Sequence, residues 1–209
     1  MYIPKHFEEN REEEIKRIIE NFPLATLVAN TKNGLVANHL PLLLNKVSKN
    51  KKVLIGHIAK TNNLHRDLND NDKVMAIFKS EDSYISPNWY PSRNKNREHV
   101  PTWNYQAIHL HGNIAFNYDQ KFLLKTVEEL TKVFEKDDTK EESWKINKVS
   151  TKFMSTMIKE IVGITITITS QIAKSKLSQN RDKEDRKNVT KELKNNGYNF
   201  LYNSMKTLK

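Results

Sequence analysis

Residues 8–21, EENREEEIKRIIEN, set Ile15, Ile18 and Ile19 on one helical face and crowd glutamates into the first turns. That spacing predicts a helix whose dipole the acids complement, ended by Pro23. The period then changes from helical to alternating. LATLVAN (24–30) reads as a strand, TKNG (31–34) supplies Asn-Gly turn chemistry, and LVANHLPLLLN (35–45) reads as the returning strand of a hairpin. KVLIGHIAK (52–60) and KVMAIFKS (73–80) are two further strands, separated by a short helix at 62–70. From Gln106 to Phe116 the alternation is clean: Ile108, Leu110, Ile114 and Phe116 point one way, His109, His111 and Asn113 the other. A helix is predicted over 119–135 on Phe122, Leu123, Val127, Leu130 and Phe134, then a charged loop at 136–149 and a helix at 150–159. EIVGITITIT (160–169) is a strand with Ile164, Ile166 and Ile168 on one face and threonines on the other. SQIAKSKLSQNR (170–181) is expected to lead into a basic C-terminal helix, stopped near Gly197 and followed by a last short helix at 198–206.

Six strands joined mostly by hairpin-length connections predict a mainly β chain with flanking helices (α+β), its six-stranded antiparallel sheet closing as a small barrel. No G-x-G-x-x-G or G-x-x-x-x-G-K stretch accompanies a βαβ pattern, which excludes a doubly wound nucleotide fold. Residues 1–172 are expected to form the barrel domain and 173–209 a basic helical extension packed on it.

Composition sharpens this outline in three places. The chain has 209 residues, formal charge +10 and no cysteine. Disulfides, thiolate metal sites and cysteine nucleophiles are therefore excluded, and a cytoplasmic protein is expected. No apolar run is long enough to span a membrane, and MYIPKHFEENREEE lacks the apolar core of a secretory signal. Residues 174–209 carry ten Lys or Arg against four Asp or Glu. Such an excess either solvates a surface or attracts polyanions, including weak, sequence-independent contact with DNA. The third place is 84–112, which holds two of the three tryptophans, three of the six prolines, three of the seven tyrosines and three of the seven histidines, around a basic run of Arg93, Lys95 and Arg97.

Candidate chemistry is sparse. His109 and His111 share a strand face about 7 Å apart. They suit a polar sheet face or a subunit contact, and as an alternative could share a metal or flank a haem; no H-E-x-x-H partner accompanies them. His57 follows a glycine in an apolar strand and reads as a hydrogen-bonded core histidine. No G-x-S-x-G elbow marks Ser86 or Ser178 as a nucleophile, and no acid pair is set for acid–base work, so no catalytic residue is assigned. HIAKTNN (57–63) puts Lys60, Thr61 and two asparagines where a strand opens into a helix, an arrangement suited to an anion. KLSQNR (176–181) is a second cluster of donors, or the cap of the last long helix.

Seven stretches, in order, resemble the PaiB-like family of FMN-binding negative transcriptional regulators: MYIPKHF (1–7), PLATLV (23–28), NHLPLLL (38–44), GHIAKTN (56–62), YISPNWYPS (84–92), VPTWNYQAIHLHG (100–112) and KLSQNR (176–181). The resemblance implies an FMN-binding split barrel, related to pyridoxamine-phosphate oxidases and small flavin reductases, and a homodimer with flavin at the subunit interface. It implies that His39, Leu40 and Pro41 run along the isoalloxazine. It places His57, Ile58, Ala59, Lys60 and Asn62 at the ribityl phosphate, with Lys60 and Asn62 holding it. Trp103, Asn104, Lys176, Ser178 and Gln179 would close the site, and 93–99 would form a flap over its open face. Relatives usually carry Arg where Lys60 stands and Pro where Asn63 stands, and a glycine-containing turn where this chain has DKEDRKNV. Lys keeps the charge without the planar fork. The function expected is an FMN-binding negative regulator or a flavin-dependent reductase-like protein, with haem binding or degradation through His109 and His111 as the alternative.

Overall fold

The computed structural model describes residues 1–48, 51–95, 98–135 and 148–208. The expected charged loop at 136–149 lies almost wholly outside these, as does Arg97. The elements in chain order are α1 (Glu12–Asn21), β1 (Leu24–Thr31), β2 (Gly34–Pro41), β3 (Leu43–Ser48), β4 (Lys51–Ala59), α2 (Leu64–Asp67), β5 (Lys73–Ile85), β6 (Thr102–Asn117), α3 (Gln120–Phe134), α4 (Thr151–Lys159), β7 (Ile161–Lys176), α5 (Lys183–Asn195) and α6 (Asn199–Thr207). Single 3₁₀ turns lie at Lys5–Phe7, Pro87–Trp89 and Pro91–Asn94. The chain packs as two compact units: residues 1–22, 78–109 and 172–209 form one, residues 23–77 and 110–171 the other.

The second unit holds parts of all seven strands, ordered β2-β1-β5-β6-β7-β4-β3. The pairs β1–β2, β1–β5, β3–β4 and β4–β7 are antiparallel. Seven strands replace the expected six because LVANHLPLLLN is two strands. Pro41 has no N–H to extend a ladder. Up to Pro41 the chain pairs with β1, Leu24 opposite Pro41; from Leu43 it pairs with β4, Leu43 opposite Ile55. Leu42 between them is fully buried, and its N–H donates to Pro23 O at 3.0 Å. The two outermost strands of the sheet are therefore consecutive in sequence, with Leu42 alone at the corner between them, but the seven-stranded sheet is not closed into the expected barrel. Gly56 makes that corner possible: a Cβ there would lie 2.8 Å from both Leu42 Cδ2 and Pro41 O. The sheet interior is apolar, with Leu27, Leu54, Ile58, Ile114, Val162, Ile164 and Ile166 buried. The β1–β2 turn carries Gly34 at φ +101°, the left-handed region the Asn-Gly pair anticipates.

In the first unit, α1 starts at Glu12, four residues later than the glutamate-rich pattern suggests. Glu8 bridges Lys174, and Glu9 N donates to Ala173 O at 3.0 Å, so the preceding residues join β7 instead of the helix. β7 itself runs through Lys176, seven residues past the strand expected at 160–169. Alternation is lost at Ala173, Lys174 and Ser175 because both faces are covered there. α5 and α6 bury Val189, Leu193, Leu201 and Met205 against Ile85, Tyr90 and Leu177. Gly197, at φ +83°, ends α5 as expected.

Candidate functional site

The candidate residues fall into two groups, one in each unit. In the second unit, β4 ends at Ala59 and turns back at once, Asn62 N donating to Ala59 O at 2.9 Å. α2 has only four residues, and the amides of Lys60, Asn62 and Leu64 are each bonded, to Glu160 O (2.8 Å), Ala59 O (2.9 Å) and Asn62 Oδ1 (2.9 Å). The anion site expected here therefore has no helix terminus to draw on, which leaves the Lys60 ammonium. Lys60 is exposed, and Nζ makes one long hydrogen bond, 3.4 Å to Lys159 O. Asn62 is engaged at both ends, since Nδ2 also donates to Asn38 Oδ1 at 2.8 Å. Ile58 is buried, Ala59 exposed.

His57 differs from the expected hydrogen-bonded core histidine. Its Nδ1 is buried and has no hydrogen-bond partner among the described residues. Burial depresses its pKa, so the imidazole is neutral near pH 7. It lies opposite Gly163, a bare position where a Cβ would meet the Phe122 ring at 2.6 Å. On the same strand face, Val53 and Ile55 line a cavity of about 360 Å³ between the sheet and α3, with Phe122, Thr165, Thr167 and the cations Lys46, Lys51 and Lys125. On β2, Leu40 is buried and Pro41 half-buried, while His39 is exposed with Nδ1 3.1 Å from Thr26 Oγ1.

In the first unit, Trp103 is exposed and packs edge-on against Tyr84, ring centroids 5.8 Å apart. Asn104 is fully buried. Its Nδ2 donates to Ser178 Oγ at 3.0 Å, and Ser178 Oγ stands 3.2 Å from Asn104 Oδ1. Ser178 sits in the left-handed region at φ +63°, and Gln179 staples the same turn: Oε1 accepts from Leu177 N at 2.7 Å and Nε2 donates to Ser175 O. Lys176 donates to Thr102 Oγ1. Burial lowers the Lys176 pKa, and the charges of Lys174 and Arg181 lower it further. The segment KLSQNR is thus a strand end and a strained turn; the α5 cap is Asp182, whose carboxylate accepts from Asp185 N at 2.8 Å.

The aromatic stretch 84–99 is tied down in the same unit. Tyr90 is buried under the Arg181 guanidinium, 4.5 Å from its ring centroid. Ser92 N and Oγ donate to the two oxygens of Asp185 at 3.0 and 2.6 Å, and Ser92 Oγ lies 3.1 Å from His99 Nε2. Arg93, Asn94, Lys95 and Glu98 are exposed. Sequence reasoning missed Asp185, because an acid inside a basic helix reads as surface; its i, i+4, i+8 spacing with Val189 and Leu193 is the signal that marks it as inward-facing.

His109 and His111 are half-buried on the expected face of β6. The cavity beside His111 measures about 180 Å³, smaller than the ~300–1,000 Å³ of ordinary ligand pockets. No group of three or more His, Cys, Asp or Glu able to hold a metal occurs among the described residues. Among them, too, no helix is long and apolar enough to cross a membrane.

Fold and site together define a mainly β protein on an antiparallel sheet of seven strands, carrying a neutral half-buried imidazole and an exposed ammonium at one strand end. Comparison with known proteins makes the class specific. Residues 1–170 match the family described as "Putative FMN-binding domain". The chain is 35% identical over 198 residues to "Protease synthase and sporulation protein PAI 2" of Bacillus subtilis, covering 93% of this chain and 90% of the relative. It belongs to this FMN-binding family, and FMN is its cofactor. A yeast relative, "Uncharacterized protein YKL070W" of Saccharomyces cerevisiae, is 31% identical over 63% of this chain and 88% of its own. Among solved structures, the flavocytochrome Anf3 of Azotobacter vinelandii has a similar fold at TM-score 0.59 and 12% identity, covering 88% of this chain and 77% of that one. A FAD and heme binding protein of Mycobacterium smegmatis is similar at TM-score 0.56 and 13% identity, over 86% of this chain and 78% of that one.

The residues present suit FMN. A buried imidazole nitrogen without a partner among the described residues calls for a polar ligand atom, and the exposed Lys60 ammonium can meet an anion.

Proposed function

We propose that the protein is a flavin-dependent, reductase-like homodimer with FMN at the subunit interface. Bound FMN supplies the two-electron chemistry, which is why no nucleophile or acid pair is needed. The observation that carries the reading is His57: a half-buried, neutral side chain whose buried Nδ1 nothing in the described chain satisfies, three residues before the exposed Lys60. In this reading His57 meets a polar atom of the cofactor, Lys60 holds its phosphate, and the apolar β2–β3 corner lies along its ring system. The family match ends at residue 170, which supports reading 1–172 as the flavin domain and 173–209 as its extension.

The test is direct. The purified full chain is heated, the released cofactor is identified by chromatography against FMN, FAD and riboflavin, and the holoprotein is mixed anaerobically with NADH or NADPH. Release of FMN and bleaching of the flavin absorbance by one of the nucleotides are expected. A bound flavin that dithionite reduces but neither nucleotide does would overturn the reductase reading.

A second reading, a negative transcriptional regulator, is favoured by one feature. α5 exposes Lys183, Lys187, Lys191 and Lys194, spaced to form a stripe along one side. It presents charge, not a base-reading surface, so the DNA contact it supports is to phosphate. Haem binding through His109 and His111 has no comparable support beside so small a cavity.

A further inference from the structure

The first unit holds a group of cations that the flavin reading leaves partly unexplained. Lys174 and Lys176 are two residues apart on β7 and so share a strand face. Arg181 follows after the strained turn that Ser178 and Gln179 fix. Among the described residues, no carboxylate oxygen lies within ion-pair distance of any of the three. Lys174 is more than nine-tenths buried. Its Nζ donates to Tyr2 O at 3.2 Å and lies 5.4, 5.9 and 6.0 Å from the ring centroids of Tyr105, Tyr2 and Phe7. These partners solvate the ammonium without neutralising it. Lys176 reaches only the Thr102 hydroxyl, and Arg181 has the Tyr90 ring and a 3.4 Å contact with His99 Nδ1.

Elsewhere in the same unit buried charge is compensated. Arg11 and Arg17 each clasp a buried glutamate. The exposed lysines of α5 need no counter-ion, because water screens them. Lys174, Lys176 and Arg181 fit neither case: they are drawn together where solvent is thin, and their mutual repulsion is felt at Lys176. Cations gathered at such cost and held by a rigid turn need an anion to complete them.

We propose that Lys174, Lys176 and Arg181, with the Thr102 hydroxyl, form a binding site for a phosphate group. A phosphate dianion offers oxygens to the two ammonium groups, the guanidinium and the hydroxyl together. Two sources share this chemistry: the phosphate of FMN itself, or that of a second ligand such as the nucleotide that donates hydride. The first source rests on the proposed flavin site; the second does not.

Lys176→Met and Lys174→Met keep the packed side-chain stem and remove the charge, and thermal melts check that each variant folds. Full-length wild type and variants are titrated with FMN, with riboflavin, which lacks the phosphate, and with inorganic phosphate by calorimetry on the FMN-loaded protein. If the group is the cofactor's, the variants lose at least tenfold in FMN affinity and nothing in riboflavin affinity. If it belongs to a second ligand, flavin affinities hold and phosphate binding to the loaded protein falls at least tenfold. Folded variants that leave both the FMN-to-riboflavin ratio and phosphate binding at wild-type values overturn the site. Wild type that binds neither flavin would overturn the flavin reading alone, since inorganic phosphate then tests the cluster directly on the unloaded chain.

Discussion

Lys60 and His57 make separable demands on a ligand, one for charge and one for a hydrogen bond. Replacing Lys60 by Ala removes a charge-assisted contact worth about 1.5–3 kcal/mol, a roughly ten- to hundredfold loss of FMN affinity. Riboflavin affinity in the same fluorescence titration is expected to stay at the wild-type value; an equal loss for both flavins would place Lys60 away from the phosphate. The buried ionisable groups set two windows of pH dependence. Burial raises the Glu9 and Glu14 pKa values. Hydrogen bonds from Arg11 and Ser175 to Glu9, and from Arg17 and Gln106 to Glu14, more than offset it, so both lie below the ordinary 4.5. Their stabilising contribution is complete above 4.5 and is lost as pH falls below it through the folded-state values. His57 acts at higher pH. Its pKa is depressed below 6.5 by burial, so under that pH the unfolded chain takes up a proton that the folded chain resists. Stability therefore falls as pH drops below 6.5 through the lower folded-state value. Thermal melts of His57→Leu should flatten this upper limb and leave the lower one; an unchanged upper limb would assign it to another group.

Two local features shape the structure beyond the sheet strands. One is the β2–β3 corner. Gly56→Ala sets a methyl 2.8 Å from Pro41 O, a backbone atom that cannot swing aside, and from Leu42 Cδ2. A destabilisation of about 1–3 kcal/mol is expected in denaturant melts, with no change if the corner can open. The other is Gln106, buried in β6. Nε2 donates to Glu14 Oε1 and Ser175 Oγ, and Oε1 accepts from Ser204 Oγ, each at 2.7 Å. One amide thereby ties α1, β7 and α6 together. Gln106→Leu keeps the volume but leaves the Glu14 carboxylate and two buried hydroxyls short of partners, costing about 2–4 kcal/mol. These elements also mark where sequence was readable. The alternation of Ile108, Leu110 and Ile114 and the Asn-Gly turn located β6 and the first hairpin, because one covered face repeats every second residue. Where both faces are covered, as at Ala173 to Ser175, no period exists to read, and the end of β7 looked like the lead into a helix. The NHLPLLL run hid a change of strand partner because its residues stay apolar on either side of Pro41. Of the candidate site, the segment GHIAKTN was visible, but its unsatisfied imidazole nitrogen was not: an orphaned atom is defined by neighbours that the sequence does not name.

At the scale of the whole molecule the charge is uneven, and the lysine stripe of α5 is its most ordered part. Val189 and Leu193 fix which side of α5 faces inward, so Lys183, Lys187, Lys191 and Lys194 are held outward in a row. Only the last leans on the protein, Nζ lying 5.5 Å from the Tyr202 ring. A row of this kind meets duplex DNA through phosphates, and each contact made releases a condensed counterion. Two consequences follow if the regulatory reading holds through this helix. Affinity for any duplex falls steeply with salt, and log affinity against log salt has a slope of about −0.9 for each phosphate engaged. The paired change Lys187→Ala and Lys191→Ala should then flatten that slope by roughly two phosphates' worth, equally on AT-rich and GC-rich sequences. The measurement is fluorescence anisotropy across a salt series with the full-length protein, on two duplexes of unrelated sequence. An unchanged slope would remove α5 from the DNA contact. A slope that changed on one duplex alone would show base readout, which a stripe of lysines cannot provide.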